Sequence, residues 1–352
     1  MIKASYKKYT LRFKQPAGTS RGIYTERTSW FISISDAGNP LQTGIGECAP
    51  LPGLSPELDA GFIDKLSDTC RDIERYCDLT PDVLAGFPSI RMGLETAFLD
   101  YRNKGTKIFY RNGFTEGTKR IKINGLVWMG SPEFLDEQIR NKLNEGYACI
   151  KLKVGAIDFD AELSLIRKIR NEYQASDVEI RTDANGAFNP ANVMDRLNAL
   201  AAFNVHSIEQ PVKAGQHDFL ARLCANSPLP IALDEELIGI GSFKQKQDII
   251  NYIHPQFLVL KPSLHGGFGG CSQWIELANA SDIGWWITSA LESNIGLNAI
   301  AQWTSTLRCN LHHGLGTGQL FINNFDSPLY IDNAELKFDA NKTWNLSSLQ
   351  ND

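Results

Sequence analysis

No run of apolar residues in this 352-residue sequence approaches the ~18 that cross a bilayer. The opening "MIKASYKKYTLRF" lacks the apolar stretch of a secretory leader. Basic residues are not in excess: 35 Lys and Arg stand against 40 Asp and Glu, a net charge of −5. A nucleic-acid binder needs a basic face, so that class is excluded. The seven cysteines (48, 70, 77, 149, 224, 271 and 309) form no CxxC pair, and their odd, scattered set fits reduced thiols better than a disulfide framework or a zinc site. These absences predict a cytoplasmic protein with no membrane and no nucleic-acid partner. The glycine-rich "HGGFGG" (265–270) has no following GK[ST] and reads as a loop rather than a phosphate cradle. "HH" (312–313) has no carboxylate or thiolate beside it in sequence and reads as structural.

What is present begins with strands. "ASYKKYTLRF", "SWFISIS" and "TGIGECA" alternate in the manner of extended chain, with "DAGNP" as the turn between the last two. Residues 55–104 turn helical: Ile90, Leu94, Ala97, Phe98 and Tyr101 fall at helical spacing, with Ser89 placed to cap. The spacing predicts an α+β unit over residues 1–115.

From about residue 119 the rhythm changes. Short apolar strands recur, each ending in a polar residue and followed by an amphipathic segment: "RIKINGLVW", "ACIKLK", "VEIRTD", "HSIEQ", "PIALD", "FLVLK" and "GWWITS". Their end residues, Lys153, Asp183, Glu209, Asp234, Lys261 and Ser289, lie 30, 26, 25, 27 and 28 positions apart, one strand plus one helix each time. That period predicts an α/β fold with a parallel sheet closed into a modified TIM barrel, (β/α)7β, over residues 116–319. A doubly wound sheet would carry a GxGxxG turn after its first strand, and "LVWMGSPEF" has none. The segment 320–352 reads as further strands returning to the N-terminal unit.

Barrel chemistry gathers at the C-terminal strand ends, which here carry lysine, aspartate, glutamate, aspartate and lysine. In a strand, i and i+2 share a face, so Lys151 and Lys153 point one way while Ile150, Leu152 and Val154 point the other. Arg181 shares the face of Asp183. Asp183, Glu209 and Asp234, three carboxylates without histidine or cysteine, suit a hard cation such as Mg²⁺, with Mn²⁺ as the alternative. A dication and a second ammonium nearby disfavour a protonated lysine, each unit charge by roughly 3 kcal/mol at ~6 Å and an effective dielectric near 20. Such a lysine can act as a general base, and a base facing a dication fits removal of a proton α to a carboxylate. The expected partner is a small-molecule carboxylate; oligomeric state is left open.

On "KLK" (151–153), "TDANGAF" with Asp183, "IEQP" with Glu209, "ALDE" with Asp234 and "LKPSLHGG" with Lys261, the sequence resembles the muconate-lactonizing subgroup of the enolase superfamily. The resemblance covers essentially the whole chain. It implies a capping domain at the N-terminus, Asp183, Glu209 and Asp234 as metal ligands, and Lys153 and Lys261 flanking the substrate, with Lys151 beside them. Within that superfamily "GTSRG" (18–22), "GECAPLPGLS" (46–55), "KPSLHGG" and "ITSALESNIGL" (287–297) are similar to the o-succinylbenzoate synthase family. That likeness implies a Mg²⁺-dependent dehydration serving menaquinone synthesis, with Lys153 as acid and base and Lys261 as a fixed cation. It makes "GTSRG" a lid whose Ser20 and Arg21 approach the substrate. Thr288, Ser289 and Arg181 are expected to bind the substrate anion. The family's common "DES" is "DEE" here, so Glu236 replaces a small hydroxyl.

Two alternatives stay open. N-succinylamino acid racemases and dipeptide epimerases share the scaffold and both lysines, although no Asp or Glu lies between Glu292 and Asp326 to provide the epimerases' DxD. A non-catalytic metal-binding barrel is the other, and it has no need of two lysines.

Overall fold

The structure, a computed structural model, describes residues 2–19, 22–36, 38–80 and 83–350. Its first sheet is antiparallel, β1 (Ile2–Thr19), β2 (Gly22–Asp36) and β3 (Asn39–Cys48), in that order. Alternation sets its two faces. Ile32 and Ile34 pack on α1 (Phe62–Arg71) and α2 (Pro88–Arg102) through Phe62, Leu66, Ile90 and Leu94, while Phe31 on the other face meets Ile295 and Phe325. The expected helix over 89–101 is α2, but Ser89 does not cap it. Phe87 holds the cap position and Pro88 the first turn, where a missing N–H costs nothing. Ser89 instead donates its amide to the buried Glu57 carboxylate at 3.2 and 3.3 Å.

The second sheet is parallel and built by strand–helix alternation. After the short β4 (Ile121–Lys122) come β5 (Gly125–Val127), α3 (Pro132–Asn144), β6 (Cys149–Lys153), α4 (Phe159–Glu172), β7 (Glu179–Asp183) and α5 (Val193–Ala201). They continue through β8 (Ser207–Glu209), α6 (His217–Asn226), β9 (Ile231–Leu233), α7 (Phe243–Ile253), β10 (Phe257–Leu260), α8 (Gly267–Ala280), β11 (Gly284–Ile287) and α9 (Asn294–Thr304). β5 to β11 form one seven-stranded sheet in sequence order. Residues 312–314 close the ring. The Gly314 amide donates to the Ile287 carbonyl (2.8 Å) and the His313 amide to the Lys122 carbonyl (2.9 Å), joining the last strand to the first. The architecture is thus the expected α/β barrel of seven strand–helix units and an eighth strand, beside an N-terminal antiparallel sheet.

The tail divides its contacts. Leu320 and Ile322 exchange backbone hydrogen bonds with Lys14 and Arg12 of β1. The hairpin β12 (Leu329–Asp332) and β13 (Glu335–Phe338) pairs instead with β4 of the barrel, and α10 (Ser347–Gln350) ends the described chain. No helix among the described residues is long and apolar enough to cross a membrane.

Candidate active site

Strand register assembles the site. Lys153 lies opposite Asp183 across β6 and β7, and Asp183 opposite Glu209 across β7 and β8. Asp234 and Lys261 directly follow β9 and β10. The carboxylates of Asp183, Glu209 and Asp234 are 0–2% exposed, so their charge needs partners. Lys153 Nζ donates to Asp183 at 2.6 Å, Lys151 Nζ bridges Asp183 (2.8 Å) and Glu209 (2.5 Å), and Lys261 Nζ is paired with Asp234.

Burial favours the neutral form of Asp183, but the ammonium groups of Lys151 and Lys153 outweigh it and hold the carboxyl far below its usual range. Glu209 goes the other way: burial, with repulsion from Asp183, pushes it up to about 8. Burial opposes charge on Lys261 as well, yet Asp234 and Glu209 win and its pKa is raised. The sequence leads one to expect lysines pushed toward neutrality, whereas Lys151, between Asp183 and Glu209, has its pKa raised as Lys261 does.

A cavity of about 640 Å³ opens over this cluster, with Lys151, Lys153 and Lys261 in its wall. Thr288 and Ser289 line it too, the Ser289 hydroxyl 2.7 Å from that of Thr317. Leu51 and Leu54, from the "GECAPLPGLS" stretch of the N-terminal unit, close it with apolar surface. Arg181 is not in the wall. Its long side chain turns to the base of the barrel, where Nε donates to Glu179 (2.6 Å), Nη1 to the His312 carbonyl (2.8 Å), and the guanidinium stacks on Trp286. The expected contact between Arg181 and the substrate is therefore corrected. Ser20 and Arg21 lie outside the described residues.

Sequence reasoning missed Asn185. It sits two positions beyond Asp183 with φ +44°, accepts from Lys153 Nζ at 2.8 Å and donates to Glu235 at 2.9 Å. Position 185 lies beyond the end of β7 in a left-handed turn, so strand parity gave no signal for it. Glu236 points away from the cavity. It accepts from the Gly215 amide, Gln210 Nε2 and His217 Nε2, tying together the loops after β8 and β9.

The carboxylate set fits a divalent cation. Glu209 Oε1 and Asp234 Oδ1 are buried with no hydrogen-bond partner, oxygens that a hard cation would satisfy.

Residues 135–342 match the family described as enolase C-terminal domain-like. The chain is 46% identical to an o-succinylbenzoate synthase of Desulfotalea psychrophila, over 94% of this chain and 97% of the relative. A crystal structure of MenC from that organism superposes with TM-score 0.82 at 43% identity, covering 96% of this chain and 99% of the other. A dipeptide epimerase from Cytophaga hutchinsonii, solved with Mg and a dipeptide, has the same fold at 21% identity and TM-score 0.81, over 99% and 97% of the two chains.

Proposed function

The chain belongs to the enolase superfamily, and from that premise we propose that it dehydrates 2-succinyl-6-hydroxy-2,4-cyclohexadiene-1-carboxylate to o-succinylbenzoate. The observation that carries this reading is a pair of lysines on separate strands over three buried carboxylates, in a chain that aligns end to end with a relative of that activity. Asp183, Glu209 and Asp234 would hold Mg²⁺, whose positive charge, when bound, would offset the negative charge that develops on the substrate carboxylate.

The protein's own groups then divide the work. Lys153 takes the proton from C1, α to the carboxylate, as a neutral amine. The electron pair of that C–H bond forms the new ring double bond as the C6–O bond breaks, and the departing hydroxide takes the proton back from Lys153 as water. One lysine on one face suffices for this syn elimination, and the product ring is aromatic. Lys261 stays an ammonium against the developing charge, and Lys151 holds Asp183 and Glu209 in place. Asn185 orients Lys153. Leu51 and Leu54 exclude water above the ring. All seven cysteines are free thiols, in keeping with a reducing cytoplasm.

Racemisation of N-succinylamino acids is the second reading, because both lysines needed for two-base exchange are in place. Lys261→Arg separates the two: Arg keeps the charge but is a very poor base. Dehydration should survive in part in Lys261→Arg and fall further in Lys261→Ala, while any racemisation disappears in both. Racemisation that persists in Lys261→Arg while dehydration vanishes would reverse the assignment.

A further inference from the structure

The barrel interior is layered, and its lowest layer is polar where barrels usually carry bulky apolar packing. Cys149 and Glu179 are register partners at the N-terminal ends of β6 and β7, and they face inward with Lys151 and Arg181 above them. His312, on the closing strand, meets them there. One donor atom from each of Cys149, Glu179 and His312 lies within 4.8 Å of the others. His206, just before β8, brings Nε2 to 3.9 Å from Glu179 Oε2, its Nδ1 being engaged by the Ser207 hydroxyl at 2.9 Å.

We propose that the base of the barrel is a second metal site, for a borderline-soft divalent cation such as Zn²⁺, with Cys149, Glu179, His206 and His312 as ligands. The donor set decides the class of ion: one thiolate, two imidazoles and one carboxylate select zinc over magnesium, which prefers oxygen alone. Tetrahedral zinc holds such donors about 3.5 Å apart, so roughly 1 Å of side-chain adjustment brings Cys149, Glu179 and His312 onto one ion, and His206, 3.9 Å from Glu179, completes the set by a larger movement of its ring.

The second shell is already built. Glu179 Oε1 accepts from Arg181 Nε (2.6 Å), which fixes the carboxylate and leaves Oε2 toward His206. Arg181 Nη2 is buried without a hydrogen-bond partner, on a side chain already bonded to Glu179 and the His312 carbonyl. It is left for a water or anion beside the cation. Glu179, His206 and His312 are only half-buried, which gives an ion a path from solvent. On binding, the Cys149 thiol gives its proton to solvent and the sulfur lone pair goes to the metal, with no change of oxidation state. The ion would then join β6, β7, the approach to β8 and the closing strand at one point.

The test uses Co²⁺ as a coloured stand-in on the full chain, with excess Mg²⁺ present to occupy the carboxylates at the mouth. The expected result is a thiolate-to-cobalt charge-transfer band that saturates at one Co²⁺ per chain and is displaced by Zn²⁺. Cys149→Ser should abolish the band, His312→Ala should weaken Co²⁺ binding at least tenfold, and Cys309→Ser, nearby but outside the set, should retain the band. Should Cys149→Ser fail to fold, the affinity of His312→Ala decides. Absence of the band in the unmodified chain, its survival in Cys149→Ser, or unchanged affinity in His312→Ala would overturn the site.

Discussion

Lys153 stands where two demands on one side chain meet. Its Nζ is held by Asp183 at 2.6 Å and by the Asn185 side-chain oxygen at 2.8 Å, and it also lines the cavity. A group so fixed can reach one face of a bound ring and return a proton to the same face. Lys153→Ala should therefore lower the dehydration rate by the ~10²–10⁴-fold typical of a lost general base. The fold should survive, because the truncation leaves Lys151 in contact with Asp183. A steady-state assay with a circular-dichroism control measures both, and activity within tenfold of the unmodified chain would remove Lys153 from the role. At this scale much of the site was legible, because strand parity alone places Lys153, Asp183, Glu209, Asp234 and Lys261 on inward faces. Parity could not find the direction of a long side chain. Arg181 shares the face of Asp183, yet Glu179 and the His312 carbonyl draw its guanidinium to the barrel base. Nor could it find Asn185, which reaches Lys153 only because the backbone turns left-handed there.

Between elements, the N-terminal unit is fixed to the barrel by close approach and by buried carboxylates. Glu47 of β3 accepts from the Ser293 amide (3.0 Å) and the Gly296 amide (3.0 Å) at the start of α9. Glu95 of α2 accepts from the Phe268 and Gly269 amides at the start of α8 (2.5 and 3.2 Å). Both place negative charge on a helix N-terminus, where unpaired N–H groups and the helix dipole favour it. Within the N-terminal unit, the packing of β3 on α2 requires glycine: a Cβ at Gly46 would sit 1.9 Å from the Gly93 carbonyl oxygen of α2. Backbone cannot yield as a flexible side chain does. Gly46→Ala should destabilise the chain at or above the upper end of the ~1–3 kcal/mol typical of overpacking, read as a lower urea midpoint with an unchanged slope. A midpoint equal to that of the unmodified chain would mean that β3 and α2 are not packed this closely. These contacts were not legible in sequence, since they join residues up to 249 positions apart.

For the whole molecule, the repeat of 25–30 residues made the barrel legible, because each strand–helix unit leaves the same period in the chain. Closure followed from the same period, but which residues form the eighth strand did not, since it is only the short stretch around His313 and Gly314. The tail was half legible: its alternation marked strands, but not that β13 would pair with β4 rather than with the N-terminal sheet. The arrangement that results sets a cavity whose wall carries Lys142, Lys151, Lys153 and Lys261 between the barrel mouth and a loop of the N-terminal unit, with no acidic residue between Glu292 and Asp326 to hold a substrate ammonium. Such a cavity takes an anionic, partly apolar ring. The most direct measurement is the initial rate of o-succinylbenzoate formation by the purified chain, freed of metal with a chelator and then titrated with Mg²⁺. The expected result is no turnover without the ion, a rate that rises and saturates with it, and a far lower rate on N-succinylamino acids. Saturating Mg²⁺ with no o-succinylbenzoate formed, or equal rates with and without the ion, would contradict it.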